Sequence, residues 1–469
     1  MSEKTKLTDM TTGNTMGHIL RFSVPLIIGN VFQQLYNMVD TIIVGNYVDS
    51  QALAAVGTCG STGYLFFSLS AGVAIGVGIL VAQYFGAKDE SHVKETIANS
   101  FYILSLVSVL ISILGFVFAP HILRLLQTPA EILPDAVLYQ RTTCVGLFSV
   151  ALYNGVSSIL RALGDSKTPL YFLVISSIIN VVLDLIFVLQ FRMGVFGVGL
   201  ATVISQIVSM VASVVYAHKA VSYFQLTKQE WKPNITIMKK TFGMGIPMAL
   251  QNSVIAISMM ALQGVVNGFG PVVMAAYTVV SRVEQLVQQP YQSLGTAITT
   301  YSGQNMGAAK PERVKKGFRV SVMLALVFSI LLIPVAYLFG EQIISCFVEE
   351  PEVITIGVKA LRINSLFYFG LGMIYVPRAV LNGCGDKGFA MINGMMEVIC
   401  RIVYSHVLTS VPMIGFWGIW ITTGLTWTTT AVVSVIRYFS GKWRDKAITD
   451  TDNTVKIFGE RAAIEYENV

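Results

Sequence analysis

The chain alternates long apolar runs with short polar loops. Runs long enough to cross a hydrocarbon layer of roughly 30 Å fall at about 18–45, 51–84, 95–118, 134–162, 168–190, 195–218, 240–266, 272–303, 317–339, 353–383, 388–411 and 416–439. The pattern predicts twelve membrane-spanning helices and an all-α integral membrane protein. The first seventeen residues are polar and lack a short apolar core before a small-residue cleavage site, so the first span is expected to act as an uncleaved insertion signal.

A second pattern lies inside the spans. On the first, Asn30, Gln33, Asn37 and Asp40 are spaced 3, 4 and 3, which puts four polar side chains on one helical face, bordered by Gln34 and Tyr36. On the fifth, Ser176, Asn180 and Asp184 repeat at 4, and on the sixth Thr202, Gln206, Ser209 and Ser213 line one face. A carboxylate within a span costs roughly 2.5–3.5 kcal/mol on insertion scales, and such a group is by default a candidate for ion or proton handling. With the first span running outward, Asp40, Tyr139, Asp184 and Thr202 all fall roughly 7–12 Å below the outer boundary at about 1.5 Å per residue. Matched depth is what a shared site requires. Polar faces also glue helices together, which is an adequate account of Asn30, Gln33 or the serines taken singly. It is a poor account of two acids with no basic partner nearby in the sequence.

Later spans are charged differently. Glu397 and Arg401, four apart, are expected to form a structural ion pair, whereas Arg282 and Glu284 lack that spacing. Pro290, Pro334 and Pro377 interrupt helical runs and are candidate kinks.

The loops orient the spans. One alternate set carries Lys88 and Lys94, Arg161 and Lys167, Lys219 to Lys240, Lys310 to Arg319, and Lys387. The other set is nearly free of basic residues and contains Glu349-Glu350-Pro351-Glu352. By the positive-inside rule the basic loops are cytoplasmic. Lys4, Lys6, Lys442, Arg444 and Lys446 place both termini with them.

The chain also repeats itself. Gln83…Gly86-Ala87 is echoed by Gln304…Gly307-Ala308, Val93-Lys94 by Val314-Lys315, and Leu160…Gly164-Asp165 by Leu381…Gly385-Asp386, each pair 221 residues apart. The shared offset implies two homologous halves of six spans each. Six is even, so the halves enter the membrane the same way round. Such parallel repeats suit a transporter that binds substrate between two halves. The expected organisation is a first lobe over 1–218, a cytoplasmic linker over 219–239, a second lobe over 240–439 and a cytoplasmic tail over 440–469.

Composition agrees with the membrane reading. Of 469 residues, 54% are hydrophobic and 12% charged, against about 25% charge in soluble domains; the mean hydropathy is +0.65. The net charge of +6 is spread over short loops and gives no reason to expect nucleic acid. The five cysteines are scattered, with no CxxC or His/Cys cluster, so no metal site is expected. The five histidines are dispersed, and neither HExxH nor a nucleotide-binding Gly-rich Lys motif occurs. An integral-membrane enzyme or an ATP-driven pump therefore has nothing to recommend it.

Taken together, Pro25…Asp40-Thr41…Gly45, Gln83-Tyr84-Phe85-Gly86-Ala87, Leu160 to Pro169, Asn180…Asp184, Gly303 to Ala308 and Asn382 to Asp386 resemble the multidrug and toxic compound extrusion (MATE) family across the chain to about residue 440. The resemblance implies a V-shaped fold of two pseudo-symmetric six-helix lobes. It also implies export of small cationic or amphipathic compounds against entry of protons or sodium. Within the family the chain resembles the DinF-type branch, in which Asp40, Asn180, Asp184 and Thr202 would form the cation- or proton-responsive network. Gln34 and Tyr139 match polar positions of the same pocket, and with Asn37 and Asn154 they are assigned to the substrate cavity. Acids on the seventh and tenth spans, which mark the NorM-type branch, are missing here. The expectation is a multi-pass exporter of the inner (plasma) membrane, monomeric within the lipid bilayer, coupled to H+ or Na+ and needing no other cofactor. A sodium-coupled antiporter is one alternative. A lipid-linked oligosaccharide flippase is another, although flippases need cavity-facing cations and often fourteen spans.

Overall fold

The computed structural model describes residues 7–48 and 50–448. Lys4, Lys6 and most of the tail expected from residue 440 lie outside that range. The described chain is helical throughout: α1 (Thr15–Tyr47), α2 (Ser50–Gly86), α3 (Glu90–Leu125), α4 (Leu133–Ala162), α5 (Lys167–Leu185), α6 (Gly194–Ala220), α7 (Ile235–Asn267), α8 (Pro271–Gly307), α9 (Pro311–Leu338), α10 (Gly340–Ser345), α11 (Pro351–Ser365), α12 (Tyr368–Gly383), α13 (Lys387–Ser410) and α14 (Gly418–Phe439). Among the described residues, nine helices are long and apolar enough to cross a membrane: α1 to α7, α9 and α14. The other three expected spans also fall on helices. α8 and α13 carry more polar side chains, including Glu284, Glu397 and Arg401. The tenth span, expected to be continuous over 353–383, is two helices broken at Leu366–Phe367. No proline or glycine marks that break.

The helices begin where elementary capping rules put them. Proline stands in the first turn of α8, α9 and α11, where its missing N–H would be unpaired in any case. Asp89 caps α3 through the His92 N–H at 3.1 Å. Asp165 accepts from the Lys167 and Thr168 N–H groups at the start of α5, both at 3.0 Å. Inside the helices, Ser and Thr hydroxyls return to a carbonyl one turn back, as Ser23 does to Ile19 and Thr241 to Ile237. Those hydroxyl hydrogens are thereby paired without help from water.

The chain divides into two compact units. One is built on Val24–Val81 and Asp89–Ser253, the other on Asp9–Ser23, Ala82–Lys88 and the chain from Val254 onward. In the first, α4 packs on α3 and α6, and α5 lies on α6. The 219–239 segment is docked on α3 rather than free. Trp231 lies 5.9 Å from both the Phe101 and Tyr102 rings, and Asn234 is held by Asn99 and Glu95 at 2.9 Å each. In the second unit, α8, α12, α13 and α14 form the packed centre.

The internal repeat has a structural meaning. Gly164 and Gly385 take φ values of +91° and +93° at the same turn in each half, and Lys88 and Ala309 take +63° and +54° at another. Within the second unit the ends of α2 and α8 cross at Gly86 and Gly307. A Cβ on Gly86 would sit 1.9 Å from Gln304 O, and one on Gly307 1.8 Å from Gln83 O. Only glycine allows backbones that close. The two glutamines also take up the chain ends, Gln304 Oε1 accepting from Met10 N–H at 2.8 Å and Gln83 Oε1 from Ile448 N–H at 2.7 Å. Beside Met10, Asp9 accepts from Lys88 Nζ at 2.6 Å. Burial of Asp9 opposes its ionisation, but the Lys88 and Thr11 donors outweigh it and hold the carboxyl down at about 2.

Candidate functional site

Three helices of the first unit bring the polar network together. α1 supplies Tyr36 and Asp40, one turn apart; α5 supplies Asn180 and Asp184, one turn apart; α6 supplies Thr202. Asp184 and Asn180 are buried, at 0% and 1% exposure, and Asp40 is half-buried. Oriented by its neighbours, the Asn180 amide nitrogen donates to Tyr36 Oη at 2.8 Å and to Asp184 Oδ2 at 3.0 Å, while its oxygen accepts from the Thr202 N–H at 3.1 Å. The Thr202 hydroxyl is turned to Val198 O at 3.0 Å.

The carboxyl groups of Asp40 and Asp184 face each other within side-chain contact range. Two carboxyl groups placed this close repel each other when both are ionised, so the arrangement suits a single shared proton. The second oxygen of each, Asp40 Oδ1 and Asp184 Oδ1, is buried with no hydrogen-bond partner. Tyr36 and Tyr139 lie within electrostatic reach of both acids. Around them Val44, Ala52, Val188, Val195 and Val198 form an apolar cluster against which Tyr139 packs, so the pair sits in low dielectric, where electrostatic interactions are strong. Beyond Asp184, α5 loosens into a π-helical turn over Ile186–Gln190. Such widened turns occur often at functional sites.

Spacing on α1 placed Asn30, Gln33, Asn37 and Asp40 on one face. In the structure Gln33 and Asn37 are exposed and Asn30 half-buried, while Tyr36, four residues before Asp40, is half-buried. Of the four residues assigned to the substrate cavity, Tyr139 neighbours the acid pair. Gln34 is half-buried on α1, Asn37 is exposed on the same helix, and Asn154 is half-buried on α4 with its amide nitrogen unpartnered. Among the described residues no cluster of His, Cys, Asp and Glu has the makings of a metal site.

In the second unit Glu397 and Arg401 form the ion pair that their spacing predicts, at 3.1 Å and nearly inaccessible. Two partners were missed. Arg378 on α12 stands 3.9 Å from the other Glu397 oxygen, and Asn364 on α11 donates to Glu284. Both contacts join different helices, so no sequence spacing announces them.

Comparison with known proteins places this geometry. The MatE family model matches residues 25–186 and 247–407, more than half of the chain and once in each half. A probable multidrug resistance protein of Bacillus subtilis, YpnP, is 28% identical over 443 residues, covering 94% of this chain and 98% of its own. The multidrug export protein MepA of Staphylococcus saprophyticus is 23% identical over 413 residues, covering 87% and 89%. The solved outward-facing conformation of a multidrug resistance MATE family transporter of the MOP superfamily superposes with a TM-score of 0.87 at 25% identity, over 94% of this chain and 99% of that one. With the family matched in both halves and the fold shared along nearly its full length, this chain belongs to the MatE family of membrane transporters.

Proposed function

We propose that the protein is a proton-coupled multidrug exporter of the DinF-like branch, expelling cationic or amphipathic compounds from the cytoplasm. The observation that carries the reading is the juxtaposition of Asp40 on α1 and Asp184, fully buried, on α5. It is a two-carboxylate site that accepts a proton without leaving a like charge unrelieved. In this reading a proton arriving from outside loads the pair and draws α1 toward α5. Its departure leaves two repelling charges and releases α1. Substrate export follows that alternation. The relatives named for multidrug resistance and export support the reading of a drug exporter.

The second unit supports a proton over sodium. Acids on the seventh and tenth spans are missing, so a second-unit carboxylate site for sodium has no counterpart here. The loop charges support cytoplasmic termini and an inner-membrane location, with the monomer as the working unit and the two homologous halves as its lobes. The test is efflux of ethidium from proteoliposomes under separately imposed pH and sodium gradients. A pH gradient is expected to drive it at constant sodium. Export that survives a collapsed pH gradient and stops without sodium would assign the pair to sodium instead.

A further inference from the structure

The segment before α1 is buried although it is not helical. Met10 and Thr11 are 1% and 3% exposed. Its backbone is gripped by side chains from the end of α8 and the start of α9. Gln304 Oε1 accepts from the Met10 N–H at 2.8 Å, and Lys310 Nζ donates to Thr11 O at 2.9 Å. Arg313 donates to the Met10 carbonyl at 2.9 Å and to those of Thr12 and Gly13 at 3.1 Å. Asn305 Oδ1 accepts from Arg313 Nε at 3.0 Å and so aims that guanidinium. The second grip is on the α2 side, where Asp9 pairs with Lys88, just beyond the end of α2, at 2.6 Å. The Lys88 side chain is 71% exposed, and exposed ion pairs are weak. The segment therefore bridges the two helix ends that cross at Gly86 and Gly307, firmly on the α8 side and lightly on the α2 side. The chain after α14 makes the matching contact in the repeat, Gln83 Oε1 accepting from the Ile448 N–H at 2.7 Å.

We propose that Asp9–Gly13 is a latch across the cytoplasmic end of the α2–α8 crossing, fastened by Asp9 to Lys88, and that this pair must part before the two helix ends can separate. At Gly86 and Gly307 the backbones touch directly, so opening at that end separates them there and pulls on the segment that bridges both. The bridge yields at its weaker grip, the exposed pair, while the buried bonds to Gln304 and Arg313 keep the segment on α8 and α9. The inference rests on the exporter reading for its purpose: an exporter that loads from the cytoplasm has to open at this end, and the latch sets how readily it does.

Ser302 on α8 serves as the reporter. It is fully buried with its hydroxyl unpartnered, and it packs against Gly383, whose carbonyl accepts from Gln83 Nε2 at 2.9 Å. Withdrawal of the α2 end takes Gln83 off Gly383 and lets water reach Ser302. Ser302→Cys, with the exposed Cys346 replaced by serine, is labelled with a maleimide in lipid nanodiscs, and the Cys346→Ser protein is the blank. Lys88→Gln is expected to speed labelling about fivefold, and Lys88→Arg, which keeps the pair, to stay within about twofold of the unsubstituted reporter. An unchanged rate in Lys88→Gln, or Lys88→Arg as fast as Lys88→Gln, overturns the latch. A second measurement joins Asp9→Cys to Lys88→Cys with a short reducible bis-thiosulfonate in proteoliposomes. The joined protein is expected to export ethidium about tenfold or more slowly than the same protein after reduction, and equal rates overturn the proposal. Should the reduced protein export nothing under any gradient, the exporter reading falls, and the labelling rates, taken without gradient or substrate, decide the latch by themselves.

Discussion

Tyr36 on α1 accepts a 2.8 Å hydrogen bond from the Asn180 amide on α5, and the same nitrogen donates to Asp184 at 3.0 Å. One amide thus reads the state of the acid pair and ties α1 to α5. Loss of the phenol hydroxyl would leave that buried N–H short of an acceptor, at a cost of about 1–3 kcal/mol. Tyr36→Phe is expected to reach the membrane at wild-type level and to slow pH-driven efflux about tenfold or more. Efflux from proteoliposomes, normalised to protein, measures it. A wild-type rate would show that the hydroxyl is a bystander.

The buried ion pair of the second unit makes a different prediction. Removing one partner of such a pair leaves an uncompensated charge and costs about 3–5 kcal/mol. Glu397 faces both Arg401 and Arg378, so Glu397→Gln is expected to lower the melting temperature and the expressed amount. The apolar double substitution Glu397→Leu with Arg401→Met should recover much of the loss. Thermal unfolding in detergent, followed by size-exclusion chromatography, reads both. A Glu397→Gln variant as stable as wild type would argue against the pair as a stabilising element.

The topology drawn from loop charge is tested by single cysteines. Positions Lys88, Lys232 and Lys310 are expected to react with impermeant thiol reagents only from the cytoplasmic side, and Glu350 only from outside. Cys346 is exposed in the native chain, so the experiment needs a background with that cysteine replaced. Labelling of position 232 in intact cells would overturn the orientation.

Much of this was visible in the sequence. Long apolar runs gave the helices, because a membrane leaves a chain few alternatives. The shared offset of Gln83 with Gln304 and of Gly164 with Gly385 marked the repeat, and the structure supplies its cause in paired backbone crossings and left-handed turns. Other features left no local trace. The break between α11 and α12 falls at Leu366–Phe367, residues that sit as easily within a helix. Tyr36 was passed over in favour of Asn37 because a phenol has an apolar body and a polar tip and gives no clear sign of which way it faces. Arg378 meets Glu397 from another helix, a relation that only packing creates.

In the proposed mechanism a proton shared by Asp40 and Asp184 drives export. Its most direct test is ethidium efflux from proteoliposomes containing Asp40→Asn, with ethidium affinity measured on the same preparation. Asparagine keeps the size and polarity of the side chain but cannot exchange the proton, and two coupled acids titrate as one unit, so Asp184→Asn should behave alike. The expected result is folded protein, retained ethidium binding and no efflux under an imposed pH gradient. Efflux by Asp40→Asn at the wild-type rate with an unchanged pH profile would contradict it.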